Sequence, residues 1–397
     1  QGATESELAH LASDSGANLL LGAPPAPVHV PALRLEELPP GAADAPVTET
    51  TTAMVLYTSG TTGKPKGARI SHQNLAVQTR LLADAWGLDE RDTLLHSLPL
   101  HHVHGITVAL LTALCAGASV RVMPRFDVTE LVEELGSATV WMSVPTMSRR
   151  LVDHARGLDP ASRSKLAARL GALRLITSGS AALPVPLARE LEELCGAIPL
   201  ERYGMTEIGI VLSNALEPSA RVLGAVGRPL PGVEVHVHAE AGGADRGELW
   251  VRGPTVFEGY LGAGDPRDSS GWFRTGDVVE RGEDGVIRIL GRASVDIIKT
   301  GGEKVSALEI EAVLLEQVAE ACVIGLPDEQ WGERVVAAVV PHSGQSLQGE
   351  QLVRALRGRL SGYKIPKEIR VFAALPRNAM GKLDKPAVKR AWTARGA

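Results

Sequence analysis

The sequence predicts an α/β protein with a large layered N-terminal domain, a small β-barrel-like subdomain packed on it, and a small α+β C-terminal domain. Three observations carry this. From Thr48 to about His238, β-type runs at 93–98, 119–123, 139–144 and 173–177 alternate with helical patterns such as 128–135 and 185–194, as expected of a mostly parallel sheet. Between Gly224 and Gly291, turns rich in Gly and Pro (224–232, 247–253, 271–277) separate short β runs, which predicts an antiparallel barrel or sheet. After Gly301-Gly302, the capping box Ser306-Ala307-Leu308-Glu309 opens a helix through Leu315. Apolar runs at 321–326 and 335–340 and a helix near 351–360 follow it. The boundary is expected near Ala293, giving units 1–293 and 294–397.

Taken in order, the chain opens with a short helical pattern at 7–15, an apolar run Leu19-Leu20-Leu21 and Pro/Ala/Gly-rich connectors at 23–27 and 39–46 that read as loop. Ala53-Met54-Val55-Leu56-Tyr57 reads as a short buried strand. Ser71 caps a helix whose apolar positions include Leu75, Leu81 and Leu82, so the intervening loop is expected to join strand to helix.

Composition narrows the function. With 397 residues the chain can bury more than one core. Hydrophobic residues at 44% and charged residues at 22% are ordinary globular usage, which excludes disordered and fibrous classes. A formal charge of -5 argues against a general nucleic-acid or anionic-membrane binder and for small-molecule partners. No apolar run reaches the roughly 18 residues that a bilayer-spanning helix needs. Cys115, Cys195 and Cys322 have neither metal nor redox spacing and are expected to be buried thiols of a reducing compartment, with the cytoplasm the expected location.

Four stretches carry chemistry. Thr58-Ser59-Gly60-Thr61-Thr62-Gly63-Lys64-Pro65-Lys66-Gly67 combines hydroxyl donors, glycines that let backbone approach oxygen atoms, and two cations, a composition suited to a polyphosphate. Its spacing is not that of G-x-x-x-x-G-K-[ST]. In Leu98-Pro99-Leu100-His101-His102-Val103-His104-Gly105, three imidazoles occupy a loop that follows a strand. Zinc would want Cys, Asp or further His at recognisable spacing, which nothing nearby supplies. Ser178-Gly179-Ser180-Ala181-Ala182 is a turn of small residues between strand and helix, and Glu201-Arg202-Tyr203-Gly204-Met205-Thr206-Glu207 mixes carboxylates, a guanidinium and an aromatic ring. The plainer readings are a surface ion pair for Arg202 with Glu201 and a turn-capping role for Asp277.

Position for position, the first stretch matches the phosphate-binding signature of the acyl-adenylate-forming enzymes, and the resemblance continues through Gly291-Arg292 to Gly301-Gly302 and Pro376 to Lys385, nearly the whole chain. It is closest to malonyl-CoA and methylmalonyl-CoA synthetases. The resemblance implies ATP, Mg²⁺ and coenzyme A, with Thr58, Ser59, Gly60, Thr61, Thr62, Lys66, Gly179, Ser180, Ala181, Glu201, Tyr203, Thr206, Asp277 and Arg292 on the nucleotide. Tyr203 would stack on adenine, Asp277 would accept the ribose hydroxyls and Glu207 would ligate magnesium, which takes one or two carboxylates and shares substrate phosphates. Lys382, Thr206, Glu207 and His102 are the implied catalytic residues, and Gly301, Gly302 and Lys299 the coenzyme A contacts, in a small domain that is implied to be mobile.

Arg202 and His104 stand where a pocket for an apolar acid would need neither. A guanidinium clamps a carboxylate bidentately, so the pair is expected to receive the second carboxylate of malonate or methylmalonate, with Ser178 and Met205 beside it. A short monocarboxylate-CoA ligase, an adenylation domain loading a carrier protein, and a nucleotide-binding protein without catalysis remain open at this point. The resemblance also implies an N-terminal stretch ahead of Gln1, a monomer or weak dimer, and the mitochondrial matrix as the location in a eukaryote. One residue more than the common pattern precedes Lys299, which leaves the hinge residue open.

Overall fold

The computed structural model describes residues 48–58, 65–239, 245–377 and 383–394, with short pieces at 10–11, 13–17, 20–21 and 32–33. Its first hairpin corrects an expectation. Strand β1 (Thr52–Thr58) is followed by a second strand, β2 (Lys66–Ser71), antiparallel to it from Thr58↔Lys66 to Thr52↔Ser71, so the phosphate-type loop joins two strands. The second strand escapes a sequence reading because Gly67 and Ala68 are poor strand formers that are held by their neighbours. A Cβ on Gly67 would lie 2.8 Å from Leu261 and 2.9 Å from Val55.

Helix α1 (His72–Trp86) starts on the predicted cap: Asn74 N–H donates to Ser71 Oγ and the Asn74 side chain accepts from Ser71 N–H, while Gly87 ends it at φ 58°. Then come β3 (Thr93–His96), a π-helical stretch His104–Leu111, α2 (Thr112–Cys115), β4 (Ser119–Val122), α3 (Val128–Glu134), β5 (Val140–Ser143), α4 (Pro145–Arg156), α5 (Pro160–Gly171), β6 (Leu175–Ser178), α6 (Val185–Cys195), β7 (Leu200–Met205), β8 (Gly209–Ser213) and β9 (Arg228–Pro229). The sheet order is β9-β8-β7-β6-β5-β3-β4, parallel from β4 to β7 and antiparallel beyond, which is the mostly parallel sheet expected. Central strands β5 and β6 are buried along their whole length, as strands covered by helices on both faces must be.

The turn-rich region takes the sheet form of the barrel-or-sheet expectation, with β10 (Glu234–Ala239), β11 (Arg246–Arg252), β12 (Phe273–Arg281) and β13 (Ile287–Arg292) antiparallel in that order. The small C-terminal domain holds β14 (Ile297–Thr300), β15 (Glu303–Ser306), α7 (Ala307–Leu314), β16 (Glu320–Asp328), β17 (Gly332–Val340), α8 (Gly349–Leu356), β18 (Glu368–Val371) and α9 (Lys385–Ala394). Ser306 caps α7 through Glu309 N–H, as read from the sequence.

One large core runs from Ala68 to Ile287, and two smaller ones lie between Ile298 and Trp392 on opposite faces of the C-terminal sheet. Cys195 and Cys322 are buried, but Cys115 is exposed, because it closes the short α2 with its side chain away from the core. Among the described residues no helix is long and apolar enough to cross a membrane.

Candidate active site

Residues distant in the chain meet at the C-terminal ends of β5, β6 and β7, the edge where open α/β sheets bind ligands. Glu207 lies in the turn between β7 and β8, buried. Its Oε1 accepts from Tyr260 Oη at 2.9 Å and from Thr58 Oγ1 at 3.4 Å, which joins the first motif to the last carboxylate of the fourth. Tyr260 had no signal in the sequence: a single aromatic after Gly259, in a stretch without period. It also carries Lys66, whose Nζ stands 5.5 Å over the ring.

The turn that holds Glu207 is fixed by polar side chains on α1 that look solvent-facing in sequence. Gln78 Oε1 accepts from Ile210 N–H at 2.7 Å, and Asn74 Nδ2 donates to the carbonyls of Pro254 and Val256 at 2.8 and 3.0 Å. Gly209 is required here, at φ 66° and with a would-be Cβ 1.8 Å from Gln78 Oε1.

On β7, alternate side chains divide the work between two sheet faces. Tyr203 donates to Asp277 Oδ2 at 2.5 Å, and Arg292 grips the same carboxylate through Nε at 3.0 Å and Nη2 at 3.2 Å. Asp277 lies inside β12, opposite Arg292 on β13, so it is not a turn cap. Burial raises its pKa, and the Arg292 charge works against that rise. Glu201 is buried and reached by the backbone N–H groups of Leu183 and Gly224, and burial pushes its carboxyl up to about 7.

Arg202 forms no surface pair with Glu201. It is 5% exposed, and among the described residues its Nε and Nη2 have no hydrogen-bond acceptor. Desolvation pulls its pKa down to about 9. The guanidinium lies flat on Gly179, where a Cβ would be 1.8 Å from Nη1. A buried guanidinium with donors left over among the described residues is costly to the fold.

Beside it, His104 Nδ1 is 3.0 Å from Ser180 Oγ. His104 is not in a loop as expected. It is the first residue of the π-helical stretch, which sits close on the chain because a Cβ on Gly105 would lie 2.1 Å from the Pro99 carbonyl oxygen. Ser180 is strained, at φ 66° the one non-glycine with positive φ among the described residues. Ser178 Oγ is buried and has no hydrogen-bond partner among the described residues, and Met205 and Thr206 are partly exposed at the end of β7. His102 stacks at a tilt on His101, 4.1 Å between ring centres, and Ala181 is exposed.

Gly301 and Gly302, at φ 58° and 84°, turn β14 into β15. Trp331 packs on Gly301, and Lys299 N–H donates to Glu333 Oε2 at 2.8 Å. Trp331, Tyr363, Lys367, Thr300 and Gly362 line one hollow, with Lys367 Nζ 4.9 Å over the Trp331 ring. Ser59, Gly60, Thr61, Thr62 and Lys382 lie outside the described residues.

Residues 1–261 match the family model for AMP-binding enzymes, and residues 309–382 match that for the AMP-binding enzyme C-terminal domain. Human (Homo sapiens) mitochondrial malonate–CoA ligase ACSF3 is 42% identical over 376 residues, covering 85% of this chain and 65% of that protein. The crystal structure of ATP-bound MatB from Rhodopseudomonas palustris has a TM-score of 0.89 at 34% identity, covering 98% of this chain and 82% of that one. A malonyl-CoA ligase with methylmalonyl-CoA and AMP bound has a TM-score of 0.69 at 39% identity, covering 95% and 84%. The chain spans between 60% and 67% of the length of the curated relatives it matches.

Proposed function

The chain belongs to the AMP-binding enzyme family, and from that premise we propose that it is an AMP-forming acid–thiol ligase that activates malonate or methylmalonate and transfers it to coenzyme A. The observation that carries the diacid is Arg202, an enclosed guanidinium with donors left over, next to the His104–Ser180 pair. One carboxylate of the substrate pairs with Arg202 while the other reacts. A pocket built on a buried polar group rejects acids that lack the partner, by roughly 10⁴ in favourable cases. The similarity to malonate–CoA ligases supports the same class.

In the first step a carboxylate oxygen attacks the α-phosphorus of ATP, the bond to the β-phosphate oxygen breaks, and acyl-AMP and pyrophosphate form. Asp277, Arg292 and Tyr203 hold the ribose and adenine, and the loop from Thr58 to Lys66 holds the departing phosphates. Lys382 stabilises the developing negative charge. Glu207 fits a hard cation, being a buried carboxylate ringed by oxygen donors, and a magnesium ion there would draw charge from the phosphates. In the second step the thiol displaces AMP. With the boundary at 293/294, the small domain turns to bring Gly301 and Gly302 to the thiol's path, and the Trp331–Tyr363–Lys367 hollow offers rings and a cation to the nucleotide end of coenzyme A. The same reading takes the protein as a monomer or weak dimer of the cytoplasm, or of the mitochondrial matrix in a eukaryote.

ATP–pyrophosphate exchange over malonate, methylmalonate, succinate and acetate tests the acid, and coenzyme A against a carrier protein tests the acceptor. Exchange driven equally well by acetate would overturn the diacid reading.

A further inference from the structure

Lys385 opens the last helix, and its charge is enclosed: 7% of the residue is exposed. A buried ammonium persists only when paired. Its Nζ is 2.9 Å from Glu311 Oε1 and 2.6 Å from Asp296 Oδ1. Glu311 needs that counter-charge, since it is buried on α7 and its Oε1 also accepts from Val323 N–H at 2.7 Å. Asp296 is different: it is partly exposed in the turn between β13 and β14, and water could solvate it. What the second ion pair adds is orientation.

Asp296 is tied on both sides of Arg292. Its Oδ2 accepts from Arg292 N–H at 2.9 Å, and its own N–H donates to the Arg292 carbonyl at 2.7 Å. The turn is this tight because position 291 is glycine, at φ 126° with a would-be Cβ 2.4 Å from Asp296 Cβ. From Arg292 the contacts continue through its guanidinium to Asp277 and on to the Tyr203 hydroxyl.

We infer that Lys385 is a positioning residue for the nucleotide, holding Asp296 so that the Arg292 backbone presents its guanidinium to Asp277. The ion pair thereby links the last helix of the small domain to the ribose end of the site. This rests on the reading of Asp277 and Arg292 as the ribose grip. Neither Lys385 nor Asp296 touches a reacting atom, so the effect belongs on ATP affinity and not on the acid.

The test uses the full chain, with ATP affinity from calorimetry and KM for ATP and for malonate from steady-state rates. Lys385→Met is expected to weaken ATP by roughly 2- to 30-fold, the usual size of coupling through a packed network, with KM for malonate unmoved, and Lys385→Arg to restore most of the loss. Should Lys385→Met fail to fold because Glu311 loses its partner, Asp296→Asn decides. It keeps the Lys385–Glu311 pair and an acceptor for Arg292 N–H but removes the charge that Lys385 orients, and it is expected to show the same ATP-specific loss. Folded variants with wild-type ATP affinity, or with equal losses for ATP and malonate, overturn the inference. A wild-type chain that binds no ATP overturns the functional reading and this inference with it.

Discussion

Replacing Arg202 by Met should make the protein more stable and useless for diacids at the same time. The guanidinium has donors with no acceptor among the described residues and sits in a site 5% exposed. Burial brings its pKa from the ordinary arginine value down to about 9. At about 1.4 kcal/mol per pKa unit, the charged form costs the fold on the order of 5 kcal/mol. The direction is that of a base whose pKa is depressed on folding, so the cost is present in full below pH 9 and is relieved only as pH rises from there toward the ordinary arginine value. At neutral pH the arginine is charged and the whole cost stands.

Methionine has similar length and fills the space without charge. Exchanging buried charges for apolar side chains of similar volume typically yields about 1–4 kcal/mol, and the flexible thioether suits an irregular gap. The melting temperature should therefore rise by a few degrees. Calorimetry with and without malonate separates stability from binding. The wild type should gain about 2.7 kcal/mol at a malonate concentration 100 times its dissociation constant, and the variant nothing. A variant that melts below the wild type and is still stabilised by malonate would refute both the burial argument and the role of Arg202.

Three further outcomes follow from the same geometry. Gly179→Ala puts a Cβ 1.8 Å from Arg202 Nη1, so the guanidinium must leave its place. Malonate-dependent exchange should fall at least about tenfold in kcat/KM, a transition-state loss above roughly 1.4 kcal/mol, and an unchanged value would contradict the contact. Glu201 has its carboxyl raised to about 7 by burial, above its unfolded value, so ionising it costs the fold about 3 kcal/mol, a cost absent below pH 4.5 that grows as pH rises and is complete above 7. Glu201→Gln should flatten that part of the stability profile between pH 4.5 and 7 in thermal melts, and an identical slope would exclude Glu201 as its source. Lys382→Ala should slow acyl-AMP formation by about 10²-fold or more while sparing thioester formation from supplied acyl-AMP; equal losses in the two half-reactions would count against the assignment.

Much of the scaffold was legible because its causes are local. Ser71 and Ser306 cap their helices through residues three positions on, and the β runs of the parallel sheet announce themselves by apolar content. The hairpin strand Lys66–Ser71 was not legible, since glycine and alanine gain strand geometry there only by lying against Tyr57, Leu56 and Tyr260. Nor was the polar face of α1, where Asn74 and Gln78 are satisfied by carbonyls and amides more than a hundred residues away. Cys115 and His104 were misplaced because exposure and helix entry depend on neighbours that no short window contains.

By itself the order of residues determined the alternation of strands and helices, the capped starts, and the clusters of hydroxyl, carboxylate and guanidinium groups from which the family could be read. Only the tertiary structure decided that Thr58 and Tyr260 converge on Glu207, that Tyr203 and Arg292 share Asp277, and that Arg202 lies sealed against Gly179. The physical reason is distance along the chain. Helix caps and periodicity are interactions of near neighbours, whereas the desolvation that leaves a guanidinium seeking an anion is the sum of walls from separate segments, and it exists only once they close around it.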